Sequence, residues 1–148
     1  MALPPLTETG IVLSAEAADW RAAVRVAGGA LVSIGSARDG YSDEMIRMIE
    51  EHGPYVVIAP GLALAHARPG PDVLADGLAV VTLEQPVPFG HPHNDPVRVV
   101  LGLAILRVET HLASVAAIAN IFNDSDAVNA LAAATTPDEV LQIMGVMQ

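Results

Sequence analysis

Between residues 55 and 106 the apolar residues stop recurring at helical spacing and come instead in four short blocks, at 55–59, 62–65, 78–83 and 97–106, each bounded by Pro, Gly, Asn or Asp. Blocks of that length and punctuation read as buried β-strands. Pro60-Gly61 joins the first two as a tight turn, whereas 68–76 and 84–96 are longer, Pro-rich surface connections of the kind that carry function in small domains. On either side of this region the period is helical. A helix is predicted over about 15–34, with Ser14 as N-cap and Glu16 and Asp19 in its first turn. A second opens at Ser42-Asp43-Glu44, carries Met45, Ile46, Met48 and Ile49 on one face and stops at Gly53-Pro54. His111 starts a third behind Thr110, with Leu112, Val115, Ala116, Ala119 and Phe122 as its apolar face. A shorter one spans 124–133, and Thr136-Pro137-Asp138-Glu139 is a capping box for the last. Residues 1–13, with Pro4 and Pro5, show little periodicity. Helices, then strands, then helices predict an α/β sandwich around a central sheet. With no repeat and no linker, residues 1–148 read as a single domain large enough for its own core.

Charge and composition exclude several functions. Seven basic residues stand against 17 acidic ones, a net charge of −10, and every basic residue is Arg. Without Lys there is no Schiff-base chemistry, no pyridoxal phosphate attachment and no P-loop lysine. An acidic chain with no basic stripe lacks what a nucleic-acid backbone or an anionic membrane surface requires. The absence of Cys removes disulfides, thiolate metal sites and a cysteine nucleophile. Although 52% of residues are hydrophobic, the longest apolar stretches fall far short of the ~20 residues of a spanning helix. Residues 21–37 mimic a signal peptide but sit behind an acidic segment, so a cytoplasmic protein without membrane insertion is expected.

The five histidines are the natural carriers of chemistry. His52 ends the second helix, where it complements the helix dipole, and is not a candidate. His66 stands where a buried strand emerges into a loop among small neighbours; it reads either as a structural His satisfied by backbone or as an accessible imidazole. His111, in the first turn of its helix, lies among free backbone N–H groups that favour an anion, or else it faces Val115 as an ordinary capping-region residue. His91, His93 and Asp95 form an H-x-H plus carboxylate pattern without a fourth ligand, which suits an exposed loop better than a metal site.

Several segments resemble one known family. Tyr41-Ser-Asp-Glu-Met45, then the run from Gly53-Pro-Tyr-Val-Val-Ile through Ala65-His66-Ala67-Arg68-Pro69, is similar to the active-site signature of enzyme IIA domains of the bacterial phosphoenolpyruvate:sugar phosphotransferase system, mannitol/fructose type. Phe89-Gly90, Asn94-Asp95-Pro96-Val97 and His111-Leu112 are in register, so the resemblance covers about residues 10–147, with wording most similar to the ascorbate-type branch. The resemblance implies a mixed sheet flanked by helices on both sides. It implies a phosphocarrier in which His66 accepts a phosphoryl group from phospho-HPr and passes it to a IIB protein, serving a IIC membrane permease indirectly. His111 matches the second family histidine, which stabilises the phosphoryl group. No cofactor or metal is implied. Two departures stand out: Ala65 replaces the Pro usual before the active His, and Met48 occupies the position of a helix Arg, with Arg47 one place earlier and not assigned to the site. The same resemblance leaves open a regulatory protein whose phosphorylation state is read by a partner.

The general chemistry suits phosphoryl transfer. An imidazole with pKa near 6.5 offers a neutral nitrogen close to pH 7, and phosphorylated imidazole is a good leaving group. Transfer between two histidines needs positioning and charge stabilisation above all.

Overall fold

A computed structural model describes residues 3–123 and 126–145. After a 3-10 turn at Glu8–Gly10 the elements run β1 (Ile11–Ala15), α1 (Trp20–Ser33), α2 (Gly40–His52), β2 (Val57–Ala59), β3 (Leu62–His66), β4 (Gly77–Val87), β5 (Val97–Ala104), α3 (Val108–Ile121), α4 (Asp126–Ala133) and α5 (Pro137–Ile143). The five strands form one sheet in the order β1-β4-β5-β3-β2. Its pairings are mixed: β1 with β4 and β3 with β5 are parallel, β4 with β5 and β2 with β3 antiparallel. The mixed sheet implied by the family resemblance is the one observed.

The two faces of the sheet differ in the size of what they bury. Ala63, Ala65, Ala79, Val81, Val100 and Ala104 turn to one side, against Ala23, Ala27 and Leu31 of α1 and Tyr41 and Met45 of α2. Leu62, Leu64, Leu78, Val80, Leu101 and Leu103 turn to the other, against Ile118 of α3, Val128 and Leu131 of α4 and Val140 of α5. Strict alternation along strands buried on both faces produces this partition. Small residues on the first face let α1 approach closely: a Cβ at Gly102 would stand 3.3 Å from the Ala27 side chain and backbone oxygen.

Several differences from the sequence expectations concern the ends of elements. The unperiodic N-terminal stretch contains a strand, β1, at the sheet edge, paired through Ile11 with Val80 and Val12 with Val81. Its apolar block is too short to announce itself, and only the parallel pairing to β4 defines it. Ser14 therefore belongs to β1, where its N–H donates to Thr82 Oγ1 at 2.8 Å, and cannot cap α1. Asp19 does so instead, accepting the Ala22 N–H at 2.9 Å. In α2 the helix starts at Gly40, two residues before Ser42, its first turn built around the buried Tyr41. The first strand expectation, 55–59, shrinks to Val57–Ala59 because the Tyr55 N–H turns back to the Gly53 carbonyl.

β4 runs on to Val87 through residues expected in a loop, and α4 begins at Asp126, residues 124 and 125 of its expected span lying outside the described residues. The turn at Pro60-Gly61 is as expected, with Gly61 at φ +77°, a conformation that favours glycine. The α5 cap is also as expected, the Glu139 N–H donating to Thr136 Oγ1 at 3.3 Å. Among the described residues no helix is long and apolar enough to cross a membrane.

Candidate functional site

His66 is the last residue of β3 and continues its alternation, so its side chain leaves the sheet on the same face as Leu62 and Leu64. That is the face covered by α3. Helix α3 starts at Val108 with Arg107 as N-cap, one turn earlier than the Thr110 cap expected, which puts His111 at the fourth helical position. Its own N–H is already bonded to the Arg107 carbonyl at 2.9 Å, so that N–H is not free to bind an anion. The His111 side chain reaches His66 instead: the two rings lie 5.3 Å apart, edge to face at 86°. Residues 45 apart in sequence thus share one site because a sheet alternation and a helix face converge.

A hydrogen bond settles the His66 tautomer. Nδ1 lies 2.8 Å from the Leu64 carbonyl oxygen, two residues back on the same strand. A carbonyl can only accept, so in the neutral ring Nδ1 carries the proton and Nε2 keeps its lone pair. Both rings favour the neutral form. Burial pushes the His66 pKa below its ordinary value, opposed by the Leu64 carbonyl and reinforced by His111. Burial alone lowers that of His111.

Two tyrosines frame the pair. Tyr41, on α2, is buried at 2% exposure beneath the opposite face of the sheet. Its hydroxyl donates to the Leu103 carbonyl at 2.7 Å and accepts the Ala67 N–H at 3.1 Å, fastening the residue after His66 to β5. Burial pushes its pKa up to about 12, so it remains a neutral hydroxyl. Tyr55 packs edge-on against His66 with ring centroids 5.6 Å apart and donates to the His66 carbonyl at 3.4 Å. Met48, His52, Tyr55, His66, Ala67, Arg68 and His111 line an open cleft of ≈ 320 Å³. The arrangement can present a neutral imidazole lone pair to an electrophile, with a second imidazole beside it.

The remaining expectations sort clearly. His52 does end α2, but it also borders the cleft, its ring 6.3 Å from that of Tyr55. Nothing local to the sequence could have shown this, because the cleft is completed by His66 and His111 from distant parts of the chain. Tyr41 and Tyr55, the only two tyrosines, carried little local signal, because their hydroxyls bond groups 11 to 62 residues away. Arg47 points elsewhere, bonded to Glu44 at 2.6 and 2.9 Å and to Glu51 at 2.7 Å on its own helix, while Met48 faces the cleft.

The loop of His91, His93 and Asp95 is held by its own groups. Asp95 accepts the N–H groups of Phe89, Gly90 and His91 at 2.7–3.1 Å. His91 Nδ1 accepts those of His93 and Asn94 at 3.1 and 3.0 Å. Among the described residues no three His, Asp or Glu side chains are placed to hold a metal ion.

Comparison with known proteins bears on this site. The sequence profile described as "Phosphoenolpyruvate-dependent sugar phosphotransferase system, EIIA 2" matches residues 5–145. An ascorbate-specific PTS system EIIA component of Shigella boydii is 38% identical over 135 residues, 90% of this chain and 88% of that protein. The Escherichia coli K12 protein of the same description is 37% identical over the same shares. Among solved structures, enzyme IIAMTL in complex with phosphorylated enzyme IIBMTL from Escherichia coli superposes with a TM-score of 0.85 at 26% identity, covering 97% of this chain and 99% of that one. The profile match over nearly the whole chain, together with relatives well above 30% identity, shows that this protein belongs to the EIIA 2 family of the phosphoenolpyruvate-dependent sugar phosphotransferase system.

Proposed function

We propose that this protein carries a phosphoryl group on His66 Nε2, taking it from phospho-HPr and handing it to a IIB protein that serves a IIC permease. The observation that supports the reading most directly is the His66 ring itself, with Nδ1 tied to the Leu64 carbonyl and His111 5.3 Å away. In the first step the Nε2 lone pair forms a bond to phosphorus as the phosphorus–nitrogen bond of the donor phosphohistidine breaks, its electron pair returning to the donor imidazole. His111, held neutral, donates an N–H to a phosphoryl oxygen. The second step runs the same exchange towards the acceptor group of IIB. Neither step draws on a metal or cofactor.

The ascorbate-specific relatives support an ascorbate-like carbohydrate as the substrate of the coupled transporter, and the IIAMTL–IIBMTL complex supports a IIB partner. The role is cytoplasmic. Leu106, Val108 and Leu112, 51%, 61% and 71% exposed, flank His111 along the chain. An apolar patch of this kind gives an acidic protein a way to meet its partners during brief encounters.

Intact-mass spectrometry at alkaline pH, after incubation with phosphoenolpyruvate, enzyme I and HPr, tests the reading. The wild type should gain one phosphoryl group, His66→Ala none, and His111→Ala should gain it more slowly. Labelling of His66→Ala at the wild-type level would overturn the assignment. A labelled wild type that discharges to no IIB protein would instead favour a regulatory protein whose phosphorylation state is read by a partner.

A further inference from the structure

We propose that Arg68 binds the phosphoryl oxygens at this site, supplying the positive charge that the two histidines do not. The proposal rests on the phosphocarrier reading above. A phosphoryl group brings about two negative charges, and the protein that receives it already has a net charge of −10. Both His66 and His111 are held towards their neutral forms by burial, so neither contributes a full charge near pH 7.

The remaining cations narrow quickly. Arg21 and Arg25 cross-link α1 to Glu50 and Asp43 of α2. Arg47 is engaged by two carboxylates of its own helix. Of the seven arginines, only Arg68 lines the cleft. Among the described residues no carboxylate lies within ion-pair distance of it. Its charge also acts on the Tyr55 hydroxyl, against the effect of burial there, so the guanidinium sits within electrostatic range of the ring that packs on His66.

Position in the chain explains how Arg68 gets there. It follows His66 by two residues, just after Ala67 is fastened by Tyr41, so the chain leaves the sheet from an anchored point. A guanidinium is always charged and presents a planar fork matching two phosphoryl oxygens, which an imidazole cannot do.

The test compares wild type, Arg68→Gln and Arg68→Lys, measuring the rate of phosphoryl gain over a range of phospho-HPr concentrations. Arg68 is exposed, so Arg68→Gln should keep the wild-type urea midpoint. The expected result is a saturating rate lower by roughly tenfold to a hundredfold in Arg68→Gln, with KM little changed and partial recovery in Arg68→Lys. The 31P resonance of the phosphorylated wild type should also shift in Arg68→Gln. An Arg68→Gln protein that labels at the wild-type saturating rate, including one whose only defect is a raised KM, would overturn the proposal and leave the phosphocarrier reading intact. A wild type that takes no phosphoryl group would overturn both.

Discussion

The Leu64 carbonyl and the Tyr41 hydroxyl act on the same short stretch of chain from opposite faces of the sheet: one orients the His66 ring, the other anchors the peptide that follows it. Each leaves a measurable trace. Tyr41→Phe keeps the ring but strands the buried Ala67 N–H and removes a donor from the Leu103 carbonyl. It should destabilise the protein by about 1–3 kcal/mol in urea unfolding. The histidines should show their surroundings in an NMR titration, with midpoints of both His66 and His111 below the usual 6.5. An ordinary midpoint for His66 would mean that its ring is not buried as described. The sequence marks His66 well, because a histidine at the end of a fully apolar block must emerge at a strand end. It marks Tyr41 poorly, because the groups that its hydroxyl bonds lie 26 and 62 residues away.

At the scale of the element, α1 and α2 are packed by glycine where they cross. A Cβ at Gly28 would stand 1.8 Å from Ser42 Oγ and 3.0 Å from Ser42 Cβ, whereas one at Gly29 would meet nothing within 4 Å. Gly28→Ala must displace the Ser42 hydroxyl and crowd its Cβ and Met45, and should cost about 1–3 kcal/mol as overpacking. Gly29→Ala, on the exposed side of the same helix, should stabilise by about 0.5–1 kcal/mol through helix propensity. Opposite signs at adjacent positions, read from two urea curves, check the crossing; equal effects would count against it. The consequence reaches the site, since α2 carries Tyr41 and Met48. Element identity was legible throughout the middle and the C-terminal third, where apolar blocks and helical stripes are long enough to be read. Element ends were not: Ser14 looked like a cap in isolation, yet a partner 68 residues away draws it into a strand.

For the whole molecule, the two buried imidazoles couple stability to pH. Because their folded pKa values lie below the unfolded 6.5, the unfolded chain binds more protons between the two. The stability they confer is therefore complete above about pH 6.5 and is lost as the pH falls through their folded values. Urea midpoints of the wild type should decline on acidification from about pH 6.5 towards 5, and His66→Ala should decline less steeply over that window. Parallel curves would show that His66 is not held neutral by the fold. What the sequence determined by itself was the class of fold and the residues able to do chemistry. Hydrophobic period, turn residues and the absence of Lys and Cys are local or compositional properties, and they act before any long-range contact forms. What only the tertiary structure decided was which of those residues meet. His66 faces His111 because β3 alternates onto the face that α3 covers, Arg68 enters the cleft because Tyr41 anchors the chain before it, and Arg47 stays out because its own helix satisfies it. These outcomes depend on which sheet face each helix packs against, and that choice is made by the burial of small residues on one side and large ones on the other.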